Sequence, residues 1–176
     1  HFGPAYFNRG TVYNTQMLFD KAIPDFYAAH LTGYQKPAVL ANWGKSLLGT
    51  GAYELAIEKL SEAIARAPDA AHPYADRGFA YLRIKHYREA KSDFEAALKR
   101  DLALTCADIN LGVMQMESGE PTLAIQAFTR ALNTAVADVK TLVHDYLGQA
   151  YLRAQQFPQA IEHFNLALVG QSVSAE

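Results

Sequence analysis

The sequence has little cysteine, no basic excess and no long apolar run, and each shortage excludes a class of protein. Cys106 is the single cysteine among 176 residues, so an intramolecular disulfide scaffold is excluded. The formal net charge is −2, whereas nucleic-acid-binding domains usually carry a strong basic excess. No window reaches the roughly 18–20 consecutive apolar residues of a membrane span. The single cysteine is compatible with a reducing compartment, which favours the cytoplasm.

The sequence also lacks the motifs of catalytic and metal sites. No pair among the six histidines has the HExxH or cysteine-rich spacing of a zinc site. Gly119 and its neighbours form no phosphate-binding loop, and no nucleophile has a base at a spacing that indicates a catalytic pair. We therefore predict that the chain is not an enzyme and uses no cofactor or metal.

Small and large apolar residues recur along the chain with a fixed period. Half of the residues are apolar, which is enough to form a core. Glycine returns at intervals of 34, 34, 34 and 36 residues, as Gly10, Gly44, Gly78, Gly112 and Gly148. An alanine follows each glycine by 12 residues, as Ala22, Ala56, Ala90, Ala124 and Ala160. A large apolar residue comes four positions later, as Phe26, Leu60, Phe94, Phe128 and Phe164.

These columns predict pairs of closely packed helices. Glycine and alanine allow two helix backbones to approach, and a large residue four positions after the alanine lies on the same helical face. Each repeat is then a helix, a short turn and a second helix. One such hairpin cannot bury its apolar face alone, so the copies are expected to stack around a continuous core.

The pattern resembles the tetratricopeptide repeat family, whose 34-residue unit carries small residues at positions 8, 20 and 27 and an aromatic residue at 24. With glycine at position 8, the repeats fall at 3–36, 37–70, 71–104, 105–138 and 141–174. The resemblance implies an all-α fold, an α-solenoid in which helical hairpins stack into a right-handed superhelix. We expect residues 1–176 to form a single domain of this kind.

The spacing between the fourth and fifth repeats and the composition of the last hairpin depart from the simple pattern. Two extra residues lie within 134–140 and are expected to lengthen a helix end or a loop. The fifth repeat is apolar at Phe157, Ile161, Phe164 and Leu168, which the repeats alone would only partly cover. We expect the chain to be a piece of a longer protein, or its last hairpin to pack on a partner.

The resemblance implies that the first helices of the repeats line a concave groove. Position 6 of the five repeats holds Asn8, Asn42, Asp76, Asn110 and Tyr146. An asparagine amide carries both donors and an acceptor, which match the alternating groups of a peptide main chain. The three asparagines are therefore candidates for holding an extended peptide. The alternative is that they cap or bridge neighbouring helices.

The remaining predicted groove residues are mainly apolar. The apolar members are Leu48, Phe79, Leu82, Ile109, Val113 and Met116, and the charged members are Lys45 and Arg83. An exposed apolar stripe of this kind is typical of a binding site for a peptide or a helix. The alternative is a tight superhelix in which these side chains pack on one another.

The carboxylate clamp that some family members use for the acidic end of chaperones is not expected here. The clamp requires two lysines, two asparagines and an arginine at fixed positions of three successive repeats. From the first repeat onward this chain offers Phe7, Thr11, Asn42, His72 and Asp76 at those positions. Only the asparagine matches, and the last residue has the opposite charge.

We therefore predict a non-catalytic scaffold for protein–protein interaction that binds a partner peptide or helix in the groove. One alternative is the recognition or regulatory arm of a larger enzyme, such as a glycosyltransferase. Another is homotypic assembly, in which the ends of the array stack on a second copy. We expect no nucleic acid among the partners and no membrane span in the chain.

Overall fold

The computed structural model describes residues 2–173, which form ten α-helices joined by short turns. The helices are α1 (Gly3–Thr15), α2 (Phe19–Leu31), α3 (Pro37–Gly49), α4 (Tyr53–Arg66), α5 (Ala71–Arg83), α6 (Tyr87–Arg100), α7 (Thr105–Glu117), α8 (Pro121–Thr134), α9 (Ala137–Arg153) and α10 (Phe157–Val173). The described part of the chain contains no strand, which confirms the predicted all-α fold. Within the same residues, no helix is both long enough and apolar enough to cross a membrane.

The chain divides into two compact units. Unit 1 is His1–Arg100 and contains α1 to α6, and unit 2 is Asp101–Glu176 and contains α7 to α10. In both units consecutive helices pair as antiparallel hairpins, and each hairpin packs on the next within its unit. The prediction of one domain over residues 1–176 stays a prediction.

Glycine recurs at repeat position 8 because each of these glycines faces the large apolar residue of its own hairpin. A Cβ atom added to Gly44 would lie 2.5 Å from Cγ of Leu60, and one added to Gly112 would lie 2.5 Å from Cε1 of Phe128. Both large side chains are completely buried. The close approach of the two helices therefore leaves no room for a side chain at position 8.

The turn inside every hairpin has the same backbone structure. The residue at repeat position 15 has a positive φ in all five repeats: Met17, Gly51, Lys85, Gly119 and Gln155. The amide of the following residue donates to the carbonyl five residues earlier, for example from Ala52 N to Leu47 O at 2.9 Å. This arrangement is a Schellman motif, which satisfies carbonyls at the end of a helix.

Two extra residues before the fifth repeat were expected to lengthen either a helix end or a loop. The structure shows a longer helix. Helix α9 begins at Ala137, four residues before position 141, and runs for 17 residues. The first helices of the other four repeats have 13 residues each. The two inserted residues and two residues from the turn between the repeats therefore add one helical turn at the start of α9.

The first helices of the hairpins form one layer of each unit. In unit 1, α3 contacts both α1 and α5, whereas no contact joins α2, α4 and α6 to one another within the described residues. In unit 2, α7 contacts α9 in the same way. Because the first helices lie closer together than the second helices, the stack in each unit curves toward the first-helix layer.

Ion pairs between arginines and buried aspartates add to the apolar packing inside the hairpins. Asp25 accepts two hydrogen bonds from Arg9, at 2.7 and 2.6 Å, and Asp93 accepts two from Arg77, both at 2.8 Å. Both pairs join repeat positions 7 and 23. The arginine and the aspartate of each pair are 16 residues apart in the sequence. No sequence rule distinguishes such a pair from unpaired charges on the surface.

Candidate peptide-binding site

The candidate site is the outward surface of the first-helix layer, described here for each unit separately. In unit 1 it contains Asn8, Asn42, Lys45, Leu48, Phe79 and Arg83, which are exposed or half-buried. In unit 2 it contains the half-buried side chains of Ile109, Asn110 and Val113. The predicted site residues within each unit thus lie on helices of one layer.

The side-chain amides of Asn8, Asn42 and Asn110 are uncommitted. None of the hydrogen bonds found among the described residues involves these amide groups, and none of the three caps a helix. None of their amide atoms is both buried and unpaired. The observation favours the hypothesis that the amides face a ligand over the alternative that they bridge helices.

Asn14 shows what a bridging asparagine looks like in this fold. Its Nδ2 donates to the carbonyl of Asn42 at 3.1 Å, and its Oδ1 accepts from Oγ of Ser46 at 2.7 Å. These bonds tie α1 to α3. Asn14 occupies repeat position 12, as the predicted groove residues Leu48, Leu82 and Met116 do, and the structure places it between two helices.

The apolar part of the site is narrower than the sequence pattern indicates. Leu82 and Met116 are only 5% and 9% exposed, so they contribute mainly to packing. In unit 2, Ile109 and Val113 pack partly on the core around Phe128. The alternative in which the apolar groove residues pack on one another therefore holds for part of the set. The accessible apolar surface comes from the half-buried side chains.

The site in unit 1 carries both positive and acidic side chains. The guanidinium of Arg83 lies 5.7 Å from the ring centre of Tyr53 and 5.9 Å from that of Phe79. Burial raises the pKa of Asp76, and the positive charges of Lys45 and His72 oppose this shift. Asp76 occupies the position that asparagine holds in the two preceding repeats, so at position 6 this repeat has a carboxyl group in place of an amide.

A histidine pair in unit 2 was missed by the sequence analysis. Nδ1 of His144 on α9 lies 2.9 Å from Nδ1 of His163 on α10, and the ring of Tyr151 stacks on His163. Burial lowers the pKa of both histidines, helped by the charge of Lys140 for the first and of His144 for the second, while Glu162 opposes the shift of the second. The two rings are joined by one Nδ1–Nδ1 hydrogen bond, and the lowered pKa values favour their neutral forms.

We expect this pair to make unit 2 less stable in acid. Lowered pKa values mean that the unfolded chain binds more protons, so stability is complete above pH about 6.5 and falls as the pH drops through the lowered values. The melting temperature of His144→Asn should therefore fall less between pH 7.5 and pH 5.5 than that of the unchanged chain. Equal falls, measured by circular dichroism, would contradict this account.

The described residues provide no metal site. Across residues 2–173, no group of three or more histidine, cysteine, aspartate or glutamate side chains is placed to hold a metal ion. The histidine pair supplies two nitrogen ligands and no third. The side chains of the candidate site can form hydrogen bonds, ion pairs and apolar contacts.

Comparisons with known proteins agree on the repeat. The family model described as "Tetratricopeptide repeat" matches residues 75–138. The small glutamine-rich tetratricopeptide repeat-containing protein 2 of Saccharomyces cerevisiae is 33% identical over 90 residues, which are 51% of this chain and 26% of the yeast protein. Human tetratricopeptide repeat protein 12 is 27% identical over 131 residues, 74% of this chain and 18% of its own length. The chain thus spans about a quarter or less of these relatives.

Solved structures show the same fold at low identity. MamA from Desulfovibrio magneticus RS-1 superposes with a TM-score of 0.84 and 20% identity, over 99% of this chain and 97% of that one. A thermophilic tetratricopeptide repeat protein of Thermus thermophilus gives a TM-score of 0.78 and 18% identity, over 96% and 91% of the two chains. These likenesses establish stacked helical hairpins.

Proposed function

Because the chain is a tetratricopeptide repeat protein, and the fold supports protein–protein interaction scaffolds in general, we propose that its first-helix layer binds an extended peptide segment of a partner. The observation that carries the proposal is the set of uncommitted amides at position 6. An amide that neither bridges nor caps gives the fold no hydrogen bond. It offers two donors and an acceptor to whatever lies against the layer.

The spacing of the amides in unit 1 suits a main chain. Packed helices have axes about 8–10 Å apart, and an extended chain rises about 3.3 Å per residue. Asn8 and Asn42, on adjacent first helices, would therefore meet peptide groups about three residues apart. Contacts to the main chain tolerate many side chains, so these amides supply affinity and leave sequence selection to other residues.

Phe79 and Arg83 are the residues proposed to select side chains. Phe79 is half-buried, and its ring lies under the Arg83 guanidinium, which is itself exposed. Together they present an apolar surface beside a positive charge. We propose that this part of the layer prefers an apolar or acidic side chain. In unit 2, Asn110 with Ile109 and Val113 offers a second surface that combines an amide with apolar side chains.

The proposal predicts that removing two amides weakens binding of a peptide selected by phage display on the purified chain. A net hydrogen bond contributes about 0.5–1.5 kcal/mol, so the Asn8→Ala, Asn42→Ala variant should bind about 5–150-fold more weakly. Isothermal titration calorimetry measures the loss.

The matched control is Asn133→Ala, because Asn133 is an exposed asparagine on the second helix α8. This variant should bind the peptide as the unchanged chain does. Binding of the double variant within twofold of the control would mean that the amides do not hold the peptide. Equal circular dichroism spectra of the variants keep the comparison free of folding effects.

A further inference from the structure

Asp76 is the only acidic residue on α1, α3 and α5, the first helices of unit 1. The residue is half-buried, and no hydrogen bond or contact ion pair joins its side chain to another group of the described chain. The other buried or half-buried carboxylates in residues 2–173 all accept a hydrogen bond: Asp25, Glu62, Asp93, Asp101, Asp108 and Asp145. Asp76 is therefore the one carboxylate among them that these residues leave unpaired.

The positive charges near Asp76 do not compensate its burial. His72 lies one helical turn earlier on α5, Lys45 lies on α3, and both residues are exposed. Their charges lower the pKa of the Asp76 carboxyl, but burial raises this pKa by more. A partly buried charge without a contact partner costs free energy, and a cation that reaches it recovers part of that cost.

The position of Asp76 places this carboxylate in the proposed peptide site. Asp76 stands at position 6 of the third repeat, where the first two repeats have Asn8 and Asn42. An asparagine amide both donates and accepts, whereas an ionised carboxylate only accepts. A main-chain carbonyl of a peptide therefore finds no donor on Asp76. The groups that suit this carboxylate best carry several N–H donors and a positive charge, as an ammonium or a guanidinium group does.

Arg83 does not neutralise Asp76, although both residues lie on α5. Seven residues separate them, which corresponds to a rise of about 10 Å along the helix. The guanidinium of Arg83 lies over the rings of Tyr53 and Phe79 instead. The first-helix layer of unit 1 therefore presents a negative and a positive group at two separate places.

We propose that Asp76 holds a cationic group of the partner peptide, which is its amino terminus or the side chain of a lysine or an arginine. The ammonium or guanidinium group donates to the carboxylate oxygens of Asp76. This inference rests on the proposed peptide site and adds a charge requirement to it. The partner of unit 1 is then a peptide with a positive charge next to the segment that Asn8 and Asn42 hold.

The proposal is tested by removing the charge of Asp76 and keeping the shape of its side chain. Asp76→Asn does this, and it gives the third repeat the residue that the first two repeats have at position 6. The probe is the peptide selected by phage display on the unchanged chain, synthesised with a free amino terminus. Hydrogen bonds between charged groups are among the strongest, so Asp76→Asn should bind this peptide at least about fivefold more weakly in isothermal titration calorimetry at neutral pH. Equal affinities would overturn the proposal.

Changes to the peptide identify the group that Asp76 holds. Acetylation removes the charge of the amino terminus, norleucine replaces a lysine without its charge, and citrulline does the same for an arginine. One of these changes should weaken binding to the unchanged chain at least about fivefold and have little further effect on Asp76→Asn. The change that shows this coupling distinguishes the three sources of the cation. Equal effects on both proteins for every change would contradict contact between Asp76 and a cation.

The matched control is Glu95→Gln, because Glu95 is exposed on the second helix α6 and its replacement alters the net charge by the same amount. This variant should bind the peptide as the unchanged chain does. A loss as large as that of Asp76→Asn would mean that the net charge of the protein attracts the peptide without a contact at Asp76, and it would overturn the proposal. Equal melting temperatures of the two variants exclude a folding effect.

Lys45→Gln tests the opposite assignment, in which this part of the layer holds an anion. The charge of Lys45 repels a cation that approaches Asp76, so its removal should leave the affinity for the peptide unchanged or raise it. Clearly weaker binding by Lys45→Gln would mean that Lys45 attracts a negative group of the peptide, and the assignment of a cation to Asp76 would be wrong.

The Asn8→Ala, Asn42→Ala variant separates this inference from the proposed peptide site. If this double variant loses affinity and Asp76→Asn does not, the amides hold the peptide and the charge requirement is wrong. If Asp76→Asn is coupled to the peptide cation and the double variant binds normally, Asp76 holds the cation and the amides do not hold the main chain.

Discussion

Phe128→Ala is expected to lower the free energy of unfolding of unit 2 by about 3–5 kcal/mol, the usual range for a buried phenylalanine. The ring of Phe128 is completely buried, and it stacks on Tyr146 with the ring centres 5.2 Å apart. It also fills the space against Gly112, where a Cβ atom would lie 2.5 Å away. Urea unfolding followed by circular dichroism measures the change.

The control for this prediction is Phe157→Ala, because Phe157 is 55% exposed on α10. Its replacement should change the free energy of unfolding by less than about 1 kcal/mol. A second check adds Gly112→Ala, which alone should cost about 1–3 kcal/mol by overpacking. In the Phe128→Ala background the added methyl group enters the vacated space and should cost less. Additive losses, or equal losses at the two phenylalanines, would contradict the packing described.

Arg77→Ala is the second large effect, with an expected loss of about 2–4 kcal/mol in the free energy of unfolding of unit 1. Removing one partner of a buried ion pair costs about 3–5 kcal/mol, because the other charge stays buried without compensation. Asp93 is 5% exposed, while the Arg77 side chain is 20% exposed, so water can partly reach the aspartate once the arginine is gone. The bond to Ser61 is lost as well.

The matched comparison is Arg9→Ala, which breaks the same pair in the first repeat. Arg9 is 59% exposed, so its replacement should destabilise unit 1 less than Arg77→Ala does. Arg77→Leu combined with Asp93→Leu should recover much of the loss, since no unpaired charge then remains. Persistence of the full loss in that double variant would mean that the pair acts through its geometry and not through the buried charge.

The hairpins could be predicted from the sequence because the close approach of two helices permits few residue types. Gly44 and Leu60 show the reason: the packed leucine leaves no space for a Cβ atom at position 44. A constraint of this kind returns in every repeat and is therefore visible as a column. The added turn of α9 was predictable only as an insertion, since helix and loop both accommodate two residues.

The roles of single polar and apolar residues were harder to predict, because they depend on the neighbouring helix. Asn14 and Asn42 look alike in the sequence, yet the Asn14 amide bridges α1 and α3 while the Asn42 amide is uncommitted. Leu82 belongs to the predicted groove by its position and is buried by its neighbours. His144 and His163 are 19 residues apart in the sequence, and no local spacing rule predicts a contact between them.

The measurement that tests the peptide-binding proposal most directly is a double-mutant cycle between Asn42→Ala and single backbone N-methylation of the selected peptide. Methylation removes one N–H donor from the peptide main chain. If Oδ1 of Asn42 accepts from that group, methylation at one residue should weaken binding to the unchanged chain about 3–10-fold, the equivalent of one net hydrogen bond. The same methylation should have no further effect on Asn42→Ala. Equal losses for both proteins at every methylated residue would contradict main-chain recognition by this amide.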